Sequence, residues 1–178
     1  DSLTTEYLEG RTTQPLTPVA ADPGADYHDV RVVDLGDLEP YVMYPDAVPH
    51  NGVRISELQE TVRIDQAFVG SCANGKIEDL RVVAEVLAGH HVAPGVRLIV
   101  TPGSQQVFIQ AAQEGLLEVL AEAGAVVTNA TCGACCGYHM GLLAPGEVCL
   151  TASTRNFKGR MGSANASIYM GSPATVAA

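Results

Sequence analysis

Tryptophan is absent from this 178-residue chain, and Phe and Tyr bring the aromatic share to only 5%. Any interior must therefore be packed from Val, Leu, Ile and Ala, and a hydrophobic share of 47% is enough for a sizeable core. Bases are scarce too: ten Lys and Arg stand against twenty Asp and Glu, a net charge of −10. A phosphate backbone would be repelled, so no nucleic-acid partner is expected. No run approaches the roughly 20 apolar residues of a membrane span. Residues 1–6 (Asp-Ser-Leu-Thr-Thr-Glu) are neither basic nor apolar and do not read as a signal peptide, so a cytoplasmic location is expected. With no initiator Met, residue 1 is not expected to be where translation begins.

What charge there is lies unevenly. Residues 1–80 hold fifteen acids and five bases, and residues 81–178 hold five of each, so the whole excess sits in the first part. It reads as a solvated acidic surface. The five cysteines are Cys72, Cys132, Cys135, Cys136 and Cys149. An odd number, mostly crowded into one short stretch, is a poor disulfide framework for a domain with an ample apolar core. A reducing compartment with metal or redox chemistry fits better.

Residues 1–60 read as an irregular N-terminal arm with a short strand. Residues 1–30 are rich in Thr, Pro, Asp and Gly without periodicity, residues 30–35 (Val-Arg-Val-Val-Asp-Leu) are a strand candidate, and Pro40, Pro45 and Pro49 make residues 39–51 a loop. Residues 61–178 are regular. Strands are expected over residues 64–69, 95–101, 125–128 and 147–151. Helices are expected over 76–89, with apolar Ile77, Leu80, Val83, Ala84 and Leu87 on one face, from a Ser104 cap through Ala112, and over 116–123. Alternating strands and helices predict the α/β class, a three-layer α/β/α domain with a parallel or mixed sheet.

In such sheets, sites form outside the carboxyl ends of the strands. Residues 70–75, 102–104, 130–135 and 153–160 all follow expected strand ends. Cys72 can thus meet Cys132 and Cys135 although sixty residues separate them. Cys132-Gly-Ala-Cys135 is a Cys-x-x-Cys turn, used by zinc sites, redox dithiols and iron–sulfur sites alike. Zinc would want a fourth ligand, which Cys136 or His139 would supply. A redox dithiol would want a helix directly after the turn, and Gly137 and Gly141 argue against one. With Cys72, three thiolates on four irons would leave one iron open, the feature that distinguishes a catalytic centre. Cys149, within a strand candidate, reads as a small buried apolar residue.

Three segments resemble the aconitase family in the family's order, and a fourth accompanies them. Gly-Ser-Cys-Ala-Asn-Gly-Lys-Ile-Glu-Asp-Leu (residues 70–80) is similar to its Gly-Ser-Cys-Thr-Asn segment, and Thr-Cys-Gly-Ala-Cys (131–135) to its Cys-x-x-Cys loop. Ser-Thr-Arg-Asn-Phe-Lys-Gly-Arg (153–160) resembles its Ser-Asn-Arg-Asn-Phe-Glu-Gly-Arg segment, and residues 169–174 resemble its Tyr-Leu-Ala-Ser-Pro-Ala. The nearest branch is that of the 3-isopropylmalate dehydratase and homoaconitase large subunits.

The resemblance implies an aconitase-like iron–sulfur domain. It implies a [4Fe–4S] cluster held by Cys72, Cys132 and Cys135 with one open iron, and substrate-binding roles for Arg155 and Arg160. Arg suits this role because its planar fork matches a carboxylate. Asn74, Thr154 and Asn156 are expected to support the site. Two positions depart from the family: Thr154 stands where Asn is usual, and Ala73 where Thr is usual. The implied reaction is a hydro-lyase isomerisation of a hydroxy-polycarboxylic acid, of the 3-isopropylmalate or homoaconitate type, as in leucine biosynthesis.

No catalytic acid–base pair is assigned in this chain. The implied partners are therefore the missing aconitase-type domains and a swivel small subunit, and the isolated chain is expected to be inactive. The alternative reading is a non-catalytic iron–sulfur or zinc-binding module.

Overall fold

A computed structural model of the chain describes residues 2–46 and 50–178. Asp1 and Pro49, on which the readings of the terminus and of the 39–51 loop also draw, lie outside the described residues. Two compact units are present, Asp1–Asp37 and Leu38–Ala178.

The first unit contains a short helix, α1 (Ser2–Leu8), where the sequence suggests only irregular chain. The Arg11 guanidinium lies 4.4 Å from the centre of the Tyr7 ring. The strand expected over residues 30–35 is not formed: residues 30–34 have no regular structure, and Leu35–Asp37 is a 3-10 turn. The apolar composition is there, but among the described residues no other strand offers it a hydrogen-bonded ladder.

The second unit carries the sheet. Its first strands, β1 (Tyr41–Met43) and β2 (Gly52–Arg54), form an antiparallel hairpin with Val42 opposite Val53. This corrects the expectation of loop over residues 39–51. The prolines flank β1 instead of interrupting it, and the Pro40 carbonyl accepts a bond from the Ile55 amide at 2.9 Å. The sequence reading extends the arm to residue 60, whereas β1 and β2 belong to the sheet-bearing unit.

The remaining elements keep the expected alternation from residue 64 to residue 151, while the one-turn helix at 71–74, the strand at 167–170 and the helix at 173–177 were not expected from the sequence. They are β3 (Gln66–Gly70), α2 (Ser71–Asn74), α3 (Ile77–Leu87), β4 (Arg97–Thr101), α4 (Gln105–Gln113), α5 (Leu116–Glu122), β5 (Val126–Val127), β6 (Val148–Thr151), β7 (Ser167–Met170) and α6 (Pro173–Ala177). The strand order is β2-β1-β7-β6-β3-β4-β5. From β7 to β5 every pairing is parallel, and the hairpin joins β7 antiparallel through Met43 opposite Met170. The α/β class and the mixed sheet are as the sequence predicts.

Alternate residues of the buried strands face opposite cores, as the two-residue period requires. Ala67, Val69, Leu98 and Val100 pack with Leu80, Val83, Leu120 and Val176 of the helices. Helix α3 buries its predicted stripe, from Ile77 to Leu87. Its large apolar side chains contribute about 2 kcal/mol each, so together they outweigh a single cap. Ser104 caps α4 as expected, its Oγ accepting from the Val107 amide at 3.2 Å. On the other face Phe68, Ile99, Cys149 and Ile168 pack against Ala134, Cys135, Leu143 and Met161. That third layer is irregular chain with a 3-10 turn (Gly133–Cys135) rather than α-helix.

The two faces differ because the strand order reverses. The chain moves from β3 through β4 to the β5 edge, then returns to place β6 on the far side of β3. Right-handed crossovers in opposite directions fall on opposite faces. The 128–147 connection therefore crosses the face that α3, α4 and α5 leave open.

Helices α3 and α4 are clamped outside the core. Arg81 donates to Glu114 through Nε at 2.8 Å and Nη2 at 2.7 Å, and Gln110 adds a bond at 2.9 Å. Arg81 first and Gln110 second hold the Glu114 carboxyl down at about 2, against an ordinary 4.5. A depressed carboxyl stabilises the fold above its unfolded pKa, and that contribution fades as the pH falls toward its folded one. Glu114→Gln is therefore expected to lower Tm modestly above pH ~4.5. Melts of both proteins taken down a pH series should converge as the pH approaches 2, and a constant gap would contradict this.

Candidate functional site

Strand β3 ends in a strained reversal. Gly70 has φ +134° and ψ −143°, and a Cβ there would overlap the Thr101 carbonyl. Ser71 follows with φ +76° and is almost wholly buried. For a residue with a side chain that conformation costs about 1 kcal/mol or more. One turn on, a Cβ at Gly75 would come within 2.6 Å of both the Ser71 and the Thr101 carbonyl oxygens. The Gly103 amide donates to the Gly75 carbonyl at 2.7 Å. The exits of β3 and β4 thus run backbone against backbone, and Cys72 is left exposed at their rim.

The second pair of cysteines arrives from the other face. The Cys135 amide donates to the Cys132 carbonyl at 2.9 Å and closes the 3-10 turn. Cys132 is exposed, while Cys135 is buried against the second core. Arg160 braces this turn. Its Nε donates to the Cys135 carbonyl at 2.9 Å, its Nη2 lies 3.6 Å from the Cys135 sulfur, and its cation sits 5.4 Å from the Phe157 ring. The bend after β6 is set by the Ser153 amide, which donates to Thr151 Oγ1 at 3.0 Å. Beyond it, exposed Arg155 donates through Nη1 to the Thr154 carbonyl at 2.8 Å.

These segments enclose one cavity of about 500 Å³. Cys72 enters it from β3, Pro102 and Gly103 from β4, Cys132 and Cys135 from β5, and Thr154, Arg155 and Arg160 from β6. All four segments expected to converge do so. The cavity lies at the carboxyl ends of parallel strands, where the connections of β3 and β6 leave in opposite directions. Among the described residues its lining has two arginines and no carboxylate, although the chain as a whole is strongly acidic.

Asn74 and Asn156 do not line this cavity. The Asn74 amide donates to the Ala152 carbonyl, tying the Cys72 turn to the end of β6. Buried Asn156 donates to the Tyr44 carbonyl at 2.7 Å and the Ile168 carbonyl at 3.1 Å, anchoring the arginine segment from beneath. Cys136 is half-buried, with its sulfur 3.9 Å from the Cys132 carbonyl oxygen. Cys149 is fully buried in β6, and burial pushes its thiol up to about 12. The sequence reading placed Ser71 and Thr131 within the rim segments but gave neither a role in the site. The glycine before Ser71 was the available signal, since a glycine at a strand end can mark a reversal.

Among the described residues, no three His, Cys, Asp or Glu side chains are gathered as ligands of a single metal ion. An iron–sulfur cluster makes a different demand, since its thiolates bind separate irons of one bulky core. Three cysteines around a wide cavity, with a guanidinium on one sulfur and bare backbone alongside, fit that donor chemistry.

A sequence model of the aconitase family (aconitate hydratase) matches residues 56–178. Among curated relatives, the 3-isopropylmalate dehydratase large subunit of Mycolicibacterium smegmatis is 58% identical over 178 residues, all of this chain and 42% of that protein. The protein of the same name from Wolinella succinogenes is 45% identical, covering all of this chain and 43% of that protein. The 3-isopropylmalate dehydratase large subunit 1 of Methanopyrus kandleri is 48% identical, covering all of this chain and 42% of that protein. The chain thus spans less than half the length of the curated relatives it matches.

Gly70→Ala tests the reversal that positions Cys72. Nothing around the Thr101 carbonyl is a flexible side chain that can yield, so a loss of about 3 kcal/mol is expected in urea denaturation. A loss below ~0.5 kcal/mol would show that the turn is not held by this contact.

Proposed function

The chain belongs to the aconitase family, and from that membership we propose that its rim cavity holds the [4Fe–4S] cluster of a hydro-lyase. The reaction is the isomerisation of a hydroxy-polycarboxylic acid of the 3-isopropylmalate or homoaconitate type, by dehydration and rehydration. The observation that carries this reading is the convergence of Cys72, Cys132, Cys135, Arg155 and Arg160 on one cavity.

In this reading Cys72, Cys132 and Cys135 hold the cluster, which when bound supplies an open iron as Lewis acid for the substrate hydroxyl. The chain's own residues do the rest of what is available here. Arg155 keeps most of its fork for a substrate carboxylate, since among the described residues its one hydrogen bond runs from Nη1 to the Thr154 carbonyl. Arg160 positions Cys135 through two N–H groups and adds a second cation to the same cavity. Thr154 presents a shorter side chain than the Asn usual in the family, which leaves more room beside Arg155.

No acid–base pair is assigned to this chain, and such groups supply about 10²- to 10⁴-fold in rate. The remaining length seen in the relatives and a swivel small subunit are therefore the proposed partners. A cytoplasmic setting and a place in leucine biosynthesis belong to the same reading.

Anaerobic reconstitution of the chain and of Cys72→Ser, followed by iron and sulfide analysis, tests the ligand set. The unaltered chain is expected to take up about four irons and four sulfides. Cys72→Ser is expected to lose most of both. Equal contents in the two proteins, or uptake of one zinc and no iron, would refute the assignment.

A further inference from the structure

Positive φ is left almost wholly to glycine in this chain. Among the described residues that carry a side chain, only Asp46 and Ser71 adopt it. Asp is one of the few types enriched in that region, and Ser is not. Gly70, one residue earlier, has φ +134°, so glycine is used where this turn demands it. A serine at φ +76° therefore carries a strain that glycine at the same position would avoid. Such strain persists where the surroundings hold the residue in place, and it points to a use for the side chain.

That side chain is small, polar and enclosed. Ser71 is 5% exposed and lines the cavity that receives Cys72, Cys132 and Cys135. Its Oγ accepts from the Ala73 amide at a long 3.4 Å. Among the described residues it makes no hydrogen bond in which the hydroxyl donates. A buried hydroxyl proton without an acceptor is costly, and the same cavity wall offers it no carboxylate among the described residues. Whatever fills the cavity must bring the acceptor. The sulfurs of an iron–sulfur centre are acceptors of that kind.

Resting on the cluster reading above, we propose that Ser71 donates a hydrogen bond to a sulfur of the iron–sulfur centre, and that the left-handed turn keeps a serine for this hydroxyl. Arg160 already serves the Cys135 sulfur, with Nη2 at 3.6 Å. Ser71 supplies a second, neutral donor from the segment that carries Cys72. A hydrogen bond to sulfur draws off negative charge. It favours the reduced, more negative state of the centre and holds the ligated irons against loss.

Two substitutions separate the hydroxyl from the backbone. Ser71→Ala removes the oxygen and keeps the strain. Ser71→Gly removes the oxygen and relieves the strain. In the metal-free chain, Ser71→Ala is expected to hold Tm within about 2 °C of the unaltered protein. Ser71→Gly is expected to match that Tm or exceed it by up to about 3 °C. After anaerobic reconstitution, with no acid added, both variants are expected to lose iron to a chelator on the order of tenfold faster. Both should also show a lower reduction potential than the unaltered protein. The glycine variant would then combine a fold at least as stable with a weaker centre, which a purely structural role for Ser71 does not produce.

Equal iron-loss rates and potentials in all three proteins would overturn the donor role, and a hydroxyl that served only the substrate would give this result. A weaker centre in Ser71→Ala alone would also overturn it, by assigning the effect to the backbone. Iron and sulfide content keeps the two readings apart. No uptake by the unaltered chain sinks the cluster reading and the donor role with it, whereas normal uptake with unmoved rates and potentials counts against Ser71 alone.

Discussion

The backbone of Gly70 lies so close to the carbonyl of Thr101 that no side chain fits between them. Much of the site depends on this contact. It turns β3 out of the sheet at a left-handed Ser71 and starts the one-turn helix that exposes Cys72. It also fixes Cys72 to the end of β4, because Gly75 and Gly103 continue the same backbone approach. The strain at Ser71 is small beside the burial of β3 and β4, whose apolar residues contribute about 2 kcal/mol each. The core holds the turn in a shape the turn alone would not choose.

The reversal of strand order does the rest. Because β6 returns to the far side of β3, the β5–β6 connection crosses the face without helices and delivers Cys132 and Cys135 to the rim already occupied by Cys72. The same reversal brings Arg155 and Arg160 in from β6. Local charge then departs from the average: a chain of net charge −10 presents, among the described residues, two cations and no carboxylate around the cysteines. That field suits a polyanionic substrate and the electron-rich sulfur of the proposed cluster. Arg160 links the two, since one side chain braces the Cys135 turn and lines the cavity.

Elements with strong local signals were legible in the sequence, and those that depend on a distant partner were not. Helix α3 declares itself through the spacing of Ile77, Leu80, Val83, Ala84 and Leu87, and α4 through its Ser104 cap. Strands β3, β4 and β6 are apolar runs bounded by turns. The hairpin β1–β2 is short and flanked by prolines, and its stability comes from pairing with β7, which no local pattern shows. The reverse error occurred at residues 30–35, where a strand-like composition has no ladder to join among the described residues. The convergence of the four rim segments was legible because strand ends in parallel sheets share one side. The bracing of Cys135 by Arg160 was not, since twenty-five residues separate them.

The central claim is that three thiols at one rim hold a single polynuclear centre with one iron left open. Mössbauer spectroscopy of the chain reconstituted with iron-57 tests it most directly. The account predicts two classes of iron in a ratio of about three to one, with the minority class alone shifting when a hydroxy-dicarboxylic acid is added. A spectrum with all irons equivalent, or with isolated mononuclear iron indifferent to the acid, would contradict it.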